Sequence, residues 1–361
     1  MARVVERFDR CVGCNPDYYS TIKQFAKDNQ ASLAAFEEHG VILKVSDEHK
    51  CPRCGNKLLF KEARNQFYCT HSYYPPKNKK KRIRCDFTIS RYNGTFLAAS
   101  HLEPWQILLF VCEWLRKHFN HNQVQENLNI TRPTSVDWRS FCSEVVEFWF
   151  KNQDPIGGPG QVVEVDETLI ARRKYNRGRV VQQVWLFGGI ERVGKKRFVV
   201  PLLGEDGHTV LPRDKDTLTN LIKQFIHPGS TVYSDCWKGY CGLSEEGFVH
   251  STINHSLHFV DPADKELHTQ NIERLWLDVK QYIRRPGIRA KFLTQYLARY
   301  LFLKEKKGNE FHSFLTHAAK LYPPTLTPAA NRPRPNPVTL EENDLDDDCV
   351  LVPTDPDEPS P

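Results

Sequence analysis

The second half of the chain alternates between strand-like and helical patterns of hydrophobic residues. Runs rich in β-branched and aromatic residues predict strands, and apolar residues at three- and four-residue spacing predict helices. In chain order, the predicted elements are strands at 161–171, 180–190 and 197–203, a helix at 217–226, a strand at 230–234, and helices at 268–284 and 290–305. This order predicts an α/β layered domain over residues 161–306.

The first half of the chain has a different character. Residues 49–98 combine Cys, Lys and Arg with Pro and Gly, which is typical of a small metal-organised module. Residues 102–152 carry apolar residues at helical spacing, and Thr134 or Ser135 is the expected N-cap of the later helix. The Gly- and Pro-rich stretch at 154–160 predicts the boundary to the α/β domain.

The two ends of the chain add charge but little predicted structure. Residues 1–48 contain a helical stretch at 21–39, and no role follows from them. Residues 322–361 are Pro-rich and then acidic, so they are predicted to be disordered. The nine acidic residues of 341–361 mask a basic excess, because residues 1–340 hold 50 basic against 35 acidic residues. Such an excess favours a polyanionic partner such as DNA.

Composition narrows the class of protein. At 361 residues, two or three domains are expected, and 40% hydrophobic with 26% charged residues is the usual balance of a soluble protein. No apolar run is long enough to span a membrane, and residues 1–7 lack the apolar stretch of a secretory signal. An intracellular, nuclear protein is expected. Residues 346–352 place an apolar triplet beside carboxylates, which suggests either an edge strand for a SUMO-like partner or solvated disorder.

The cysteines predict a zinc site rather than disulfides, because an intracellular compartment keeps thiols reduced. Cys51-Pro52-Arg53-Cys54-Gly55 has the spacing of a zinc knuckle, in which two thiolates grip one tetrahedral ion. Cys69 and Cys85 are the expected completing pair, although a basic insert at 77–84 separates them. The alternatives are His71 and the pair Cys11 and Cys14. The insert is either a phosphate contact or a solvated charge run.

Residues 121–139 have the pattern of a helix-turn-helix. The second helix of such a unit can enter a major groove, which would bring Arg132, Ser135 or Arg139 near the bases of double-stranded DNA. A plain helical packing unit is the alternative. The apolar stripe that includes Trp138 is predicted to be core in either case.

Three acids in three different elements are candidate metal ligands. Asp166 lies in a β-type run whose valines should be buried, and a buried carboxylate is costly unless it is paired or metal-bound. Asp235 ends a second strand, and Glu273 lies near the start of a helix. Converging carboxylates require cations, and oxygen-only ligation suits Mg²⁺ or Mn²⁺. Two such ions can activate the attacking oxygen and stabilise the leaving oxygen in phosphodiester displacement.

Periodicity does not settle which acid of the first strand is the ligand. Strand alternation puts Glu164 on the same face as Asp166, and Glu167 is a further competitor. The other residues expected near the site are Lys280, which shares the helical face of Glu273 and should contact the DNA backbone, and Asn254 and His255.

Four blocks of the sequence resemble the Merlin transposases and their bacterial insertion-sequence relatives in order and character. The blocks are residues 163–168, 233–240, 253–256 and 268–276, within a likeness that covers roughly residues 50–305. The resemblance implies an RNase H-like catalytic domain preceded by a zinc ribbon and a helical segment. It further implies metal-dependent cleavage at transposon ends followed by strand transfer, with Asp166, Asp235 and Glu273 as metal-binding acids, in a dimer or larger homo-oligomer.

The sequence departs from this family where Cys69 and Cys85 are spread apart. Two other functions stay open beside the transposase. One is a domesticated, catalytically silent DNA-binding or chromatin protein, and the other is a nuclease on the same fold that cuts without joining.

Overall fold

The computed structural model describes residues 18–46, 48–74, 81–116, 119–170, 184–204, 206, 209–253, 268–283 and 292–328. The chain divides into two compact units. The first unit combines the residues up to 148 with residues 306–339, and the second unit contains residues 149–305. The finer predicted boundaries, 49–98, 102–152 and 161–306, stay predictions. Among the described helices, none has the length and apolarity needed to cross a membrane.

The described helices and strands are as follows. The helices are α1 Tyr18–Phe25, α2 Asn29–Glu38, α3 Pro104–Trp114, α4 His121–Leu128, α5 Arg132–Lys151, α6 Lys215–Phe225, α7 Gln270–Ile283, α8 Leu293–Glu305 and α9 Glu310–Leu321. The strands are β1 Leu59–Lys61, β2 Gln66–Tyr68, β3 Ser72–Tyr73, β4 Ile83–Arg84, β5 Thr88–Ser90, β6 Ile156–Gly157, β7 Val162–Leu169, β8 Trp185–Glu191, β9 Arg197–Pro201, β10 Ile226–His227, β11 Thr231–Asp235 and β12 Val249–Ile253.

The first unit contains a small ribbon and a helical part. Strands β1, β2 and β5 form an antiparallel sheet in that order, and β3 pairs with β4 as a separate hairpin. Aromatic side chains join the helices, since the ring of Phe96 lies 5.3 Å from Trp138 on α5 and 5.8 Å from Phe314 on α9. The amide of Asn93 donates to the backbone carbonyls of Thr325 and Thr327. Residues 322–328, assigned by composition to a disordered tail, are therefore partly held against the ribbon.

The second unit is built on a five-stranded mixed sheet with the strand order β12-β11-β7-β8-β9. Strand β7 pairs antiparallel with β8 and parallel with β11, and β11 pairs parallel with β12. Helix α7 packs on β7 and β8, while α6 joins the core on the other face of the sheet. The unit is thus a mixed α/β structure in layers.

Alternation along β7 separates two environments. Val163 and Val165 are fully buried in the core that includes α6, and this core also contains Phe187 and Leu218. Glu164 and Asp166, which alternate with these valines, must then face the side of the sheet covered by α7. The strand therefore carries its carboxylate on the face where α7 lies.

Some sequence expectations need correction or lie outside the described residues. The helical stretch predicted at 21–39 is two helices, separated by a turn in which Lys27 has a φ of 60°. Helix α5 begins earlier than predicted, and the side chain of Thr131, not of Thr134 or Ser135, accepts a hydrogen bond from its first turn. Strand β12 and helix α9 were not predicted. Cys11, Cys14 and the acidic tail with its candidate SUMO-like strand lie outside the described residues.

Candidate active site

Strand register brings the first two candidate acids side by side. The parallel ladder between β11 and β7 pairs Thr231 with Val162 and Tyr233 with Glu164. Continuing this register by two residues puts Asp235 opposite Asp166, on the same face of neighbouring strands. The ladder ends before that point, and its carboxyl edge is where α/β sheets open to ligands.

A hydrogen bond within its own turn orients Asp235. The backbone N–H of Trp237 donates to Oδ1 of Asp235 at 3.0 Å. A carboxylate that accepts from the backbone two residues later forms an Asx turn, which restricts its rotation. Asp235 therefore presents its remaining oxygen from a fixed position at the end of β11.

Glu164 fastens α7 to the sheet. Its carboxylate is fully buried and accepts hydrogen bonds from the backbone N–H groups of Asn271 at 2.9 Å and Ile272 at 3.0 Å. Arg192 donates to the same carboxylate at 2.8 Å and also donates to the His268 carbonyl. Because a negative charge at a helix N-terminus is favourable and both oxygens are occupied, Glu164 serves as an anchor rather than an open ligand.

Trp276 holds Asp166 in place. The indole Nε1–H donates to Oδ2 of Asp166 at 2.9 Å, and the ring is buried. The ring fits because residue 188 on β8 is glycine: a Cβ there would lie 2.7 Å from Cη2 of Trp276. Since Glu273 is three residues before Trp276, it lies on a neighbouring position of the same helical face.

The pKa of Asp166 reflects burial and the neighbouring acids. Burial raises the pKa of Asp166 to about 7; the hydrogen bond from Trp276 opposes this rise, whereas the charges of Asp235 and Glu273 add to it. A carboxyl group with such a pKa is substantially protonated at neutral pH unless a cation compensates the charge. Binding of a divalent cation would therefore stabilise the ionised forms of these carboxylates.

The acids converge less tightly than the cysteines of the first unit. Within the described part of the chain, the group of side chains that comes together closely enough to hold a metal as it stands is the cysteine group. Asp166 is held by Trp276, and Glu273 is exposed at the rim of the site. Ion binding by the three acids thus requires side-chain rotation, and their role as ligands stays a prediction.

Glu167 faces the other side of the sheet. Its side chain is 1% exposed and lies 3.8 Å from Nε of Arg213. Burial and the charge of Asp166 raise the pKa of Glu167 to about 7, against the opposing charge of Arg213. The geometry favours Asp166 over Glu167 as the ligand from β7, because Asp166 lies on the face covered by α7. Its role as a ligand stays a prediction.

The other predicted site residues are only partly described. Lys280 is half-buried on α7, two turns after Glu273, and its expected DNA contact stays a prediction. Asn254 and His255 lie outside the described residues.

Four cysteines of the first unit form a compact sulfur cluster. The Sγ atoms of Cys51, Cys54, Cys69 and Cys85 all lie within 4.8 Å of one another, and none forms a disulfide. Sulfur atoms on a tetrahedral zinc ion are separated by roughly 3.8 Å, given Zn–S bonds of about 2.3 Å. The cluster is compatible with structural zinc, and His71 is exposed.

The hairpin β3–β4 explains why the spread cysteine pair still meets. Cys69 precedes β3 and Cys85 follows β4, and the backbone N–H of Cys85 donates to the His71 carbonyl at 2.7 Å. The end of the basic insert, Ile83–Arg84, forms strand β4 itself, and residues 75–80 lie outside the described part. The pairing of β3 with β4 therefore brings Cys69 and Cys85 together although they are distant in sequence.

The thiols of this cluster do not titrate alike. Burial opposes ionisation of Cys54, yet hydrogen bonds from the backbone and side chain of Asn56 lower its pKa to about 6. Burial and the neighbouring thiols raise the pKa of Cys85 to about 12. Four thiolates this close repel one another, so full ionisation requires a cation such as Zn²⁺.

The helix-turn-helix pattern corresponds to α4 and α5, but one expected base contact is wrong. Ser135 is fully buried, and its hydroxyl is 2.8 Å from Nδ1 of His121 on α4. This hydroxyl therefore joins the two helices and does not face a duplex. Arg132 is exposed and Arg139 half-buried, and their base contacts stay predictions.

Sequence reasoning missed the residues that support the acids. Glu164 was noted only as a competitor, and Trp276, Arg192 and Gly188 had no assigned role. The spacing of Trp276 from Glu273 could have indicated a shared helical face. The glycine and the arginine gave no local signal, because their partners are distant in sequence.

Comparison with known proteins supports a transposase family. Residues 157–303 match the family profile described as ISXO2-like transposase domain. The chain is 32% identical to an uncharacterized transposase-like protein of Haemophilus influenzae over 82 residues, which are 22% of this chain and 64% of that protein. It is 25% identical to the male abnormal protein mab-31 of Caenorhabditis elegans over 168 residues, 44% of this chain and 38% of that protein. The chain spans less than two thirds of either relative.

Proposed function

We propose that this protein is a DDE-type transposase of the Merlin type that cleaves DNA at transposon ends and joins it to a target. The observation that carries the proposal is the placement of Asp235 opposite Asp166 by strand register, beneath the helix that bears Glu273. The family match over residues 157–303 includes all three acids. The strand order and directions of the second unit support an RNase H-like fold for this domain.

The donor set suits hard divalent cations. Asp166, Asp235 and Glu273 offer carboxylate oxygens only, which are the ligands that Mg²⁺ and Mn²⁺ prefer. Such ions, when bound, supply an activated attacking oxygen and charge stabilisation on the leaving oxygen. The raised pKa of Asp166 means that the acid gives up its proton as the positive charge arrives.

Each surrounding residue has a separate task. Trp276 holds Asp166 at the edge of β7, and the turn at Trp237 holds Asp235 at the edge of β11. Glu164 keeps the first turn of α7, and with it Glu273, against the sheet. Lys280 is proposed to contact a DNA phosphate. In this proposal, residues that themselves touch no metal place the three acids in the same part of the fold, and side-chain rotation completes the site.

The first unit is proposed to bind double-stranded DNA. Structural zinc would stabilise the ribbon through the four cysteines, and the exposed Arg132 would contact the duplex from the start of α5. The proposal includes a homo-oligomer, because two transposon ends must be held together for joining. It also includes action in the nucleus, where the DNA substrate is located.

The test is a cleavage and joining assay. The full-length protein is incubated with Mn²⁺ and labelled duplexes that carry the inverted repeats flanking its gene. Wild type should yield cleaved product and product joined to a second duplex, and Asp166→Asn should lower both at least about a hundredfold. Asp216→Asn, an exposed acid on α6 in the same unit, should behave as wild type.

The outcomes separate the candidate functions. Cleavage without joining supports a nuclease, and tight binding without any cleavage supports a silent DNA-binding protein. Equal cleavage by wild type and Asp166→Asn contradicts the proposed acid site.

A further inference from the structure

An exposed indole lies beside one of the proposed metal ligands. Trp237 is 42% exposed, and its backbone N–H donates to Oδ1 of Asp235 at 3.0 Å. Its indole offers a large, flat apolar surface with one polar N–H group. A flat aromatic surface and a candidate metal ligand are therefore fixed on the same short turn.

One face of the Trp237 indole packs against Arg213, which also packs against Trp185. The guanidinium carbon of Arg213 lies 4.3 Å from the ring centroid of Trp237 and 4.4 Å from that of Trp185, so it lies against both rings. Arg213 is itself within 3.8 Å of the buried carboxylate of Glu167. Arg213 therefore lies between the exposed ring of Trp237 and the buried carboxylate of Glu167 on β7.

The edge of the indole is also fixed. Residue 239 is glycine, and a Cβ there would lie 2.7 Å from Nε1 of Trp237. The ring thus rests directly on the backbone of the following turn. Arg213 covers one face of the Trp237 ring, and Gly239 lies at one edge. The exposed 42% of the residue therefore includes the other face of the ring. These contacts restrict the rotation of the ring before a ligand binds.

We propose that Trp237 stacks on an unpaired nucleobase next to the phosphate cleaved at the acid site. This inference rests on the proposed function and names the form of DNA that the site accepts. Stacking on an aromatic side chain suits every base, and a ring that is already ordered loses little entropy on binding.

The base must be unpaired for geometric reasons. Bases inside a duplex have both faces covered by their neighbours, so the ring can reach only a base at a strand end, in an overhang or turned out of the helix. Trp237 would then hold the nucleotide beside the scissile phosphate while Asp235 takes part in the chemistry. The site would prefer frayed or overhanging ends to intact duplex.

The test uses a duplex with a short single-stranded overhang that carries 2-aminopurine next to the junction. Full-length protein binds it in Ca²⁺, and the fluorescence of 2-aminopurine reports stacking. Wild type should quench this fluorescence, whereas Trp237→Ala should bind the overhang about tenfold more weakly and leave it unquenched. Trp237→Phe should restore most of the quenching, and Val193→Ala, an exposed apolar control, should match wild type.

Two results would overturn the inference. One is equal quenching by wild type and Trp237→Ala. The other is a loss of affinity in Trp237→Ala that is equally large for a fully paired duplex, since that result indicates a structural role. Failure of the proposed function would look different: wild type would show no Mn²⁺-dependent cleavage, while quenching would still depend on Trp237.

Discussion

At the scale of single residues, the site depends on side chains that hold other side chains. Asp166 has a neutral hydrogen-bond donor, Trp276, which keeps it oriented without supplying a compensating charge. Glu164 has the opposite environment, because Arg192 and two backbone N–H groups fully satisfy its charge. Two acids on one face of one strand therefore differ in their hydrogen-bond partners, and we assign them different roles for that reason.

Removing the donor to Asp166 should impair metal use more than folding. In Trp276→Phe an aromatic side chain is kept, although it is smaller than the indole, and the Nε1–H is lost, so the pKa of Asp166 should rise further above 7. We expect the Mn²⁺ concentration for half-maximal cleavage to rise about tenfold and the pH profile to shift upward. Gly188→Ala, which displaces the Trp276 ring, should raise the half-maximal Mn²⁺ concentration and shift the pH profile in the same direction. Leu277→Ala, at an exposed position of α7, should change neither the Mn²⁺ requirement nor the pH profile.

Neutralising Glu164 should destabilise the second unit. Glu164→Gln leaves the buried Arg192 without its counter-charge and weakens the cap of α7, which should cost about 3 kcal/mol in the free energy of unfolding. Urea denaturation measures this loss. Glu246→Gln breaks an exposed ion pair with Lys223 and should cost less than about 0.5 kcal/mol. Comparable losses in the two variants would contradict the anchoring role of Glu164.

At the scale of elements, the contact between α4 and α5 depends on a neutral histidine. His121 is half-buried and lies 2.8 Å from the hydroxyl of Ser135. Burial, with the positive charges of Arg139 and Arg132, lowers the pKa of His121 to about 4. The pair of helices therefore disfavours a third positive charge at their junction, beside Arg139 and Arg132.

The stability of the first unit should fall as the pH falls below about 6.5. In that range His121 gains a proton in the unfolded chain but not in the folded one, so protons favour unfolding. Between pH 7 and pH 5 the loss should be about 1–2 kcal/mol. In His121→Gln this part of the pH dependence should disappear from thermal denaturation curves, and an unchanged dependence would refute the assignment. The exposed His71→Gln is the control.

At the scale of the whole molecule, two units have separate sources of stability. The ribbon has a small core around Cys51, Phe67 and Phe87, too small to be expected to fold without an added constraint. The second unit has a larger apolar core between its sheet and α6. Metal removal should therefore affect the two units unequally.

Cys54→Ser should abolish stoichiometric zinc binding and unfold the ribbon selectively. Structural zinc contributes on the order of 10 kcal/mol of apparent binding energy to small folds, so the amides of β1, β2 and β5 should lose hydrogen-exchange protection. The amides of β7, β8 and β9 should keep theirs. Cys241→Ser changes an exposed cysteine outside the cluster and should leave zinc content and protection unchanged. Loss of protection in both units would contradict separate stability.

Local patterns in the sequence predicted the strands β7 to β9 and β11, the helices α6 to α8, and the cysteine spacing at Cys51 and Cys54. They succeeded because side-chain alternation and helical spacing follow the dihedral angles of the segment itself. Local patterns placed Asp166 within a strand, Asp235 at a strand end and Glu273 near a helix start. The selection of Asp166 over Glu164 and Glu167 came from the family resemblance. Of the missed elements, α9 does carry apolar residues at helical spacing, at Phe311, Phe314, Leu315 and Ala318, so local reasoning could have found it. Strand β12 has only five residues and a weaker pattern.

The sequence by itself determined which elements form and which chemical groups they carry. Only the tertiary structure decided that Asp235 lies opposite Asp166, that Glu164 caps α7, that Ser135 is buried against His121, and that a hairpin closes Cys69 onto Cys85. The physical reason is the sequence distance over which each effect acts. Hydrophobic periodicity and secondary-structure propensity depend on neighbouring residues, whereas strand register, helix docking and burial depend on contacts between segments far apart in sequence.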